Sequence, residues 1–406
     1  MSQETTSWVS HGNGTRFALQ EVKLGPLKAD EVRVKLKATG ICHTGLLLKL
    51  LLRIDTNLVV DILAADGDLP AQLPAILGHE GAGEIVEVGP GVSNLQEGDR
   101  VVLSFASCSS CHSCLSGVPT ACSEFLALNL MGTRTENVHT IPSTSAEDQQ
   151  GNEAISLTTK FFGQSTFATF ANVNVRSCVK LNPKSMKLAS GDDVPWARLA
   201  SLGCGFMTGS GTVLNVCKPG PGSSIGVFGV GAVGLAAIAA ARNLSAASSI
   251  IAVDISQPKL DVAASMGATL CFNSRQGNDA CIQAIKDATG GRGLDFAIDT
   301  TGNVNVIGTM LRCLTAYGTG IQIAGPSSGK NVEVHPSFMV NAAVTYRGII
   351  MGAANPQLYI PALLDYYLQG RFPVVDLVKE YHYRDLNVAI EEMKTGSVVK
   401  AVLVWD

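Results

Sequence analysis

Ser224-Ile225-Gly226-Val227-Phe228 runs directly into Gly229-Val230-Gly231-Ala232-Val233-Gly234, and an alanine-rich stretch continues to Ala241. The pattern is a short apolar strand, a turn with spaced glycines, and the opening of a helix. The first glycine permits the tight turn. The second lets backbone approach a pyrophosphate, and the third lets helix and strand pack closely. The helix N-terminus adds N–H donors and the positive end of its dipole. The next strand-like run ends in Asp254, twenty residues after Gly234, where a carboxylate can accept from ribose hydroxyls. The same carboxylate would repel a 2′-phosphate, so NAD is favoured over NADP. The alternative is a glycine-rich turn with a solvent-facing aspartate. Agreement of strand, turn, helix, second strand and acid argues against it.

Outward from this unit, the chain alternates strand and helix patterns from about residue 206. Strand-like runs occur at Ser224–Phe228, 250–254, 269–272, Leu294–Asp299 and 320–324, with helix-length patterns between them. This predicts βαβ units and a parallel, doubly wound sheet. Before it, residues from about 15 to 105 read as short strands and turns, as in the alternating Glu31-Val-Arg-Val-Lys-Leu-Lys. Residues 136–160 are polar and read as a surface excursion, and strand patterns resume over 167–179. From about 352, a helical stretch at 361–369 and a final strand at Lys400–Val404 suggest a return to the first unit. The expected division is a catalytic domain over 1–205, a dinucleotide-binding domain over 206–351, and a return over 352–406. The fold class is therefore α/β, a Rossmann-type domain joined to a mainly β domain.

Composition narrows the function. The 406 residues suffice for two substantial cores, and a net charge of −4 suggests neither a nucleic-acid nor an anionic-membrane partner. Forty-two glycines with only 16% charged residues fit a tightly turned enzyme better than a disordered chain. The opening MSQETTSWVSHGNG has neither a basic start nor an apolar core, so no signal peptide and a cytoplasmic location are expected. The apolar run over 225–241 is broken by glycines and reads as buried strand and helix rather than a membrane span. Eleven cysteines in such a chain point to metal and free thiols before disulfides.

Four of those cysteines form the sharpest local signal, Cys108-x2-Cys111-x2-Cys114-x7-Cys122. Four thiolates close a tetrahedral zinc site with no open position, which makes the site structural. A ferredoxin-type cluster would need a shorter last gap and a following proline, and disulfides are the remaining alternative. His112 fits none of the four ligand positions and reads as solvent-facing.

Three further stretches carry a family resemblance. They are Gly40-Ile41-Cys42-His43-Thr44, then Gly78-His79-Glu80-Gly-Ala-Gly83 with Gly89 after five intervening residues, and Leu202-Gly-Cys204-Gly-Phe-Met-Thr-Gly-Ser-Gly. With the glycine motif and the cysteine loop in order, the chain resembles the medium-chain zinc-dependent alcohol dehydrogenases over nearly its whole length. The runs 161–170 and 205–215 resemble the aryl- and benzyl-alcohol branch. The resemblance implies a GroES-like catalytic domain and a second zinc on Cys42, His79 and Cys204, with one position open. Singly, each of these residues could equally be a buried thiol or a core histidine. The resemblance also implies that zinc binds the alcohol oxygen, that Thr44 relays its proton, that Glu80 sits behind the metal, and that Asp61 orients His79. His43 and Lys400 match positions where the family places cations on the cofactor pyrophosphate, and Lys259 matches a lysine near the adenosine ribose. For Lys259 and Lys400 an ordinary solvated lysine is the alternative.

Two departures stand out. Between Thr44 and Asp61 lie sixteen residues, Gly45 to Val60, that the family pattern lacks. They stretch the Cys42-to-His79 separation to 37 positions, where the family spacing is 21. Removing them joins GICHT to Asp61-Ile-Leu-Ala-Ala-Asp-Gly, and Leu63 then falls where some members carry the outer histidine of a proton relay. Sixteen codons make a short-intron length, and glycine and valine codons can carry the intron boundary bases. A retained intron and a genuine insertion that reshapes the pocket are both open; transcript sequencing across Thr44 to Asp61 distinguishes them.

The expected function is reversible, NAD-dependent oxidation of a primary, aromatic alcohol to the aldehyde, with two zinc ions per chain and a homodimeric or homotetrameric assembly. One rival is glutathione-linked formaldehyde oxidation, which needs a cationic patch for the tripeptide carboxylates. The other is a catalytically silent NAD- and zinc-binding protein, disabled by the insert.

Overall fold

The strand Ser224–Phe228 lies inside a six-stranded, wholly parallel sheet. In spatial order the strands are Leu270–Asn273, Ser249–Asp254, Ser224–Phe228, Leu294–Asp299, Leu314–Gln322 and Thr345–Gly348. The order runs one way from Ser224–Phe228 and then reverses through Leu294–Asp299, so the glycine turn opens at the topological switch point, where open α/β sheets bind ligands. Ile225, Val227 and Phe228 are all buried, as expected for a strand covered on both faces. The helix Ala232–Asn243 is buried continuously from Ala232 to Ala241, because its small side chains let it lie between the sheet and a second helix. That second helix is Gly205–Gly211. A Cβ on its Gly209 would stand 2.0 Å from the Val233 carbonyl oxygen, so only glycine allows this approach. The contact docks the segment after Cys204 onto the dinucleotide helix.

The structure, a computed structural model, describes residues 3–12, 17–42, 73–131, 133–138, 155–325 and 330–406. Among these, the remaining strands form two sheets. A seven-stranded, largely antiparallel sheet centres on Glu31–Gly40, which pairs with Gly81–Val88, Phe170–Asn174 and Lys400–Val404. A five-stranded sheet joins Ala18–Leu24, Gln3–Ser10, Ala75–Ile76, Ile155–Thr159 and Thr133–Val138. One large apolar cluster runs from the antiparallel sheet through the two docked helices; a smaller one fills the far side of the parallel sheet around Ile251, Ile285 and Met310. The chain is an α/β protein with a doubly wound parallel sheet and a mainly β part. The C-terminal strands Val378–His382 and Lys400–Val404 pair in parallel and join the sheet built by residues 31–40.

Some expectations need adjusting. The helix read at 361–369 is Pro356–Leu368. Asn355 accepts from the Gln357 N–H and Pro356 occupies the first turn, so the true start signal lies five residues upstream, and Pro361 sits inside the helix. The strand read at 320–324 begins at Leu314; Ala316 and Tyr317 are exposed there, which hides the apolar pattern. The polar segment 136–160 is not all excursion. Ile155–Thr159 is a strand with Leu157 and Thr158 buried, and it pairs with Ala75 and with Thr133–Val138. Residues 139–154 lie outside the described residues. No helix among the described residues is long and apolar enough to cross a membrane.

Candidate active site

Strand register assembles the first constellation. Thr39 of Glu31–Gly40 stands opposite Gly81, and the Gly40 N–H donates to the Glu80 carbonyl at 2.8 Å. Cys42, just past one strand, therefore meets His79, just before the other. Lys400–Val404 flanks the same strand, pairing Val402 with Gly40, and Ile41 N–H donates to Ala401 at 3.0 Å. Cys204 arrives on the docked helix, whose N-cap it is.

Cys42, His79, Glu80 and Cys204 each offer one ligand atom, all within 4.8 Å of one another and all buried. The Cys42 and Cys204 sulfurs are 3.8 Å apart. A tetrahedral zinc with bonds of about 2.3 Å holds two thiolates about 3.8 Å apart, so the donor set fits such an ion. The Cys204 sulfhydryl and the nearby His79 and Lys400 hold the Cys42 thiol well below the ordinary range, against the effect of burial. Cys204 is pushed well above it by its contact with the Cys42 sulfur and by burial. A buried thiolate of this kind is a metal ligand in waiting.

Glu80 is fully buried and ion-paired with Lys400. Burial raises its carboxyl to about 7, with Lys400 opposing the rise. Burial works against the Lys400 ammonium, but Glu80 and Cys42 outweigh it and leave its pKa raised. Lys400 is thus not the solvated lysine that the sequence offered as the alternative to a pyrophosphate-binding cation. It is 1% exposed and donates to the Ile41 carbonyl at 3.0 Å. A pyrophosphate would have to compete with Glu80 for it.

Two aromatic rings wall the site. Phe162 stacks on the His79 imidazole, with centroids 4.5 Å apart and planes 24° apart, and Phe161 meets it edge-on at 5.7 Å. Nothing local in the sequence marks this role, although the paired phenylalanines are conspicuous.

Cys108, Cys111, Cys114 and Cys122 form a second cluster, again within 4.8 Å. The sulfurs of Cys108 and Cys114 are 3.9 Å apart, close to the spacing of a tetrahedral zinc site. Backbone N–H groups point at the sulfurs, from Cys111 to Cys108 at 3.2 Å and from Cys108 to Cys122 at 3.3 Å. Hydrogen bonds from Ser110 lower the Cys108 thiol to about 6, and burial lifts Cys114 to about 12. His112 is exposed.

In the glycine motif, Gly229 has φ +90°, open to glycine but not to most residues. A Cβ on Gly234 would stand 2.0 Å from the Gly229 carbonyl oxygen, while a Cβ on Gly231 would meet nothing within 4 Å. The motif thus has one close-packed glycine and one that borders open space at the helix N-terminus, a cradle suited to phosphate. Asp254 accepts from Val230 N–H at 2.8 Å and Ser256 N–H at 2.9 Å, which ties the acid to the glycine turn. Lys259 lies half-buried on the next helix, with its Cε and Nζ against Gly396. His43, Thr44 and Asp61, together with Gly45 to Val60 and Leu63, lie outside the described residues.

Comparison with known proteins agrees with this arrangement. Residues 28–184 match the alcohol dehydrogenase GroES-like domain, and residues 232–367 match the zinc-binding dehydrogenase family. The chain is 34% identical to the geraniol dehydrogenase of Castellaniella defragrans over 392 residues, 97% of this chain and 95% of that one. It is 30% identical to the S-(hydroxymethyl)glutathione dehydrogenase of Synechocystis, covering 96% of each chain. The crystal structure of benzyl alcohol dehydrogenase from Acinetobacter calcoaceticus superposes with a TM-score of 0.85, at 34% identity and full coverage of both chains. The fold and these matches define a two-part oxidoreductase of the zinc-binding class. The chain belongs to the medium-chain zinc-dependent alcohol dehydrogenases.

Proposed function

We propose that the chain oxidises a primary, aromatic alcohol to its aldehyde, reversibly, with NAD. The observation that carries the reading is the buried Cys42–His79–Cys204 cluster with an aromatic wall, reached from a helix docked on the dinucleotide helix. Two zinc ions per chain fit the donor sets, one held by Cys42, His79 and Cys204, the other by Cys108, Cys111, Cys114 and Cys122. When bound, the first zinc supplies Lewis acidity to the alcohol oxygen and NAD accepts the hydride. The chain's own residues do the rest. Phe161 and Phe162 exclude water beside His79 and offer an aromatic substrate ring an apolar face. Lys400 balances the Glu80 carboxylate, so that the thiolates are not left beside an unpaired buried charge. The glycine turn and helix N-terminus seat the pyrophosphate, Asp254 takes the ribose diol, and the Thr44 hydroxyl passes on the alcohol proton. Support for the substrate class comes from relatives named for geraniol and benzyl alcohol, both primary alcohols.

Glutathione-linked formaldehyde oxidation is a second reading, favoured only by the likeness to S-(hydroxymethyl)glutathione dehydrogenases. NADH production from benzyl alcohol, geraniol, ethanol and S-(hydroxymethyl)glutathione tests both. Benzyl alcohol should exceed ethanol in kcat/KM by roughly tenfold or more, the discrimination expected of an apolar pocket. Preference for the glutathione adduct would overturn the reading. The same assay on a variant lacking Gly45–Val60 tests the insert. Zinc ligands tolerate little displacement, so the deletion should raise turnover roughly tenfold or more. Equal activity would make those residues a native part of the site.

A further inference from the structure

Between Lys160 and Ser165 the backbone enters the left-handed region four times, at Lys160 (φ 67°), Phe162 (φ 54°), Gly163 (φ 71°) and Ser165 (φ 57°). Three of these residues carry side chains, for which the region is unfavourable. Such a turn persists only where its surroundings hold it. Here Ser165 Oγ donates to the Ile76 carbonyl at 2.6 Å, and the N–H groups of Thr166 and Phe167 donate to Gly78 and Leu77 at 2.9 Å. The turn is thus stitched along the segment that leads into His79.

The turn delivers one side chain into the gap between the two ligand-bearing segments. Gln164 is 1% exposed, and its Nε2 donates both to the His79 carbonyl and to the Ser104 carbonyl, each at 2.9 Å. Its Oε1 accepts from the Gly81 N–H at 3.3 Å. Two carbonyls demand donors and one N–H demands an acceptor, so the orientation of the amide is determined. Ser104 carries the connection onward: its Oγ donates to the Gly203 carbonyl at 2.7 Å, one residue before Cys204. The path from His79 through Gln164 and Ser104 to Gly203 joins two parts of the chain that hold different ligands of one cluster.

We propose that Gln164 is a positioning residue that fixes the separation of His79 and Cys204. It touches neither substrate nor cofactor and acts only through the backbone of the ligands. Groups that orient metal ligands typically change metal affinity 10- to 100-fold when removed. The inference rests on the reading of Cys42, His79 and Cys204 as a metal site.

Gln164→Glu keeps the shape but offers its ionised oxygens to two carbonyls; Gln164→Met keeps the bulk and offers nothing. Ser104→Ala is a milder variant that removes only the bond to Gly203. Zinc content is measured after dialysis of the full-length chain against graded chelator, together with the d–d spectrum of cobalt-exchanged protein and the NADH affinity. Both Gln164 variants should retain the cysteine-loop metal and NADH binding. They should lose the second zinc at roughly 10- to 100-fold lower chelator, with an altered cobalt spectrum and kcat lowered more than KM. Ser104→Ala should move in the same direction by less. Ile285→Ala, a core truncation in the other apolar cluster, should lower the melting temperature without changing metal retention. Unchanged zinc retention and cobalt spectrum in all three site variants, in a parent chain that holds two zinc ions, would overturn this inference alone. A parent chain that holds only one zinc would overturn the metal-site reading and this inference with it.

Discussion

Adding one methyl group at two places in the glycine turn should separate folding from cofactor binding. In Gly234→Ala the new carbon would lie 2.0 Å from the Gly229 carbonyl oxygen and 3.0 Å from its carbon. Ordinary contacts begin near 3.5 Å, so helix and strand must part by about 1.5 Å. The obstacle is backbone, which cannot swing away, and the helix is buried along most of its length. Overpacking of this kind costs about 1–3 kcal/mol, here at the upper end. At about 2.1 cal/mol/K of unfolding entropy per residue, a chain of 406 residues loses about 1 °C per kcal/mol, so the melting temperature should fall by roughly 2–4 °C. In Gly231→Ala the carbon meets nothing within 4 Å, and φ is −73°, comfortable for any residue. Reduced freedom of the unfolded chain should then stabilise the variant by about 0.4–1 kcal/mol. The added carbon instead stands where a pyrophosphate must approach. Losing one charge-assisted N–H contact worth about 1.5–3 kcal/mol weakens NADH binding roughly ten- to hundredfold. Thermal unfolding followed by circular dichroism and NADH fluorescence titration read the two effects. Gly231→Ala binding NADH as tightly as the parent would refute the phosphate seat. Gly234→Ala melting with the parent would refute the packing argument.

Other outcomes follow from the same geometry. Cys111→Ser should lose the loop metal and destabilise the chain, whereas Cys204→Ser should lose turnover and the second zinc yet still bind NADH; elemental analysis giving one metal or none for the parent counts against both. Asp254→Ser should relax cofactor choice toward NADP, and a parent kcat/KM as high with NADP as with NAD would sink that assignment. Asp299 supplies a pH test, because burial raises its carboxyl to about 6 although Thr301 and Gly302 hydrogen-bond to it. A raised carboxyl binds its proton more tightly in the folded chain, so its contribution is present in acid and is lost as pH rises from about 4 to about 6. The unfolding free energy of Asp299→Asn, relative to the parent, should therefore improve by up to about 3 kcal/mol across that window. A difference that does not change with pH would mean the carboxyl titrates as it does in the unfolded chain.

What the sequence revealed is what a contiguous stretch can encode. The strands Ser224–Phe228, Leu294–Asp299 and Lys400–Val404 were read with their observed bounds, because each is a short apolar run bounded by turns. Thr345–Gly348 and Val378–His382 were not read. Both lie at sheet edges, with mostly exposed or half-exposed residues, so neither has an apolar face to announce it. The four-cysteine loop was legible because all its donors fall within fifteen residues. The Cys42–His79–Cys204 set spans 163 positions, and resemblance alone brought it together before the structure did.

The residues that support that set were the least legible, for a physical reason. From sequence Lys400 matches a pyrophosphate-binding cation or an ordinary solvated lysine, and neither its neighbours nor its spacing points to Glu80. Its partner, Glu80, is 320 positions away and reaches it only because Lys400–Val404 and Gly81–Val88 flank the same strand. Breaking such a pair leaves a charge buried without its counterion, at a cost of about 3–5 kcal/mol. The pair ties Glu80, next to His79, to a lysine that also holds the Ile41 carbonyl next to Cys42, although neither residue has a spacing that predicts the other. Gln164 has the same standing. An amide set among phenylalanines has no ligand signature; its role is set by the His79 carbonyl and Gly81 N–H of one segment and the Ser104 carbonyl of another. A sequence motif shows which atoms can bind a metal, and the register of strands far apart in the chain decides what holds those atoms in place.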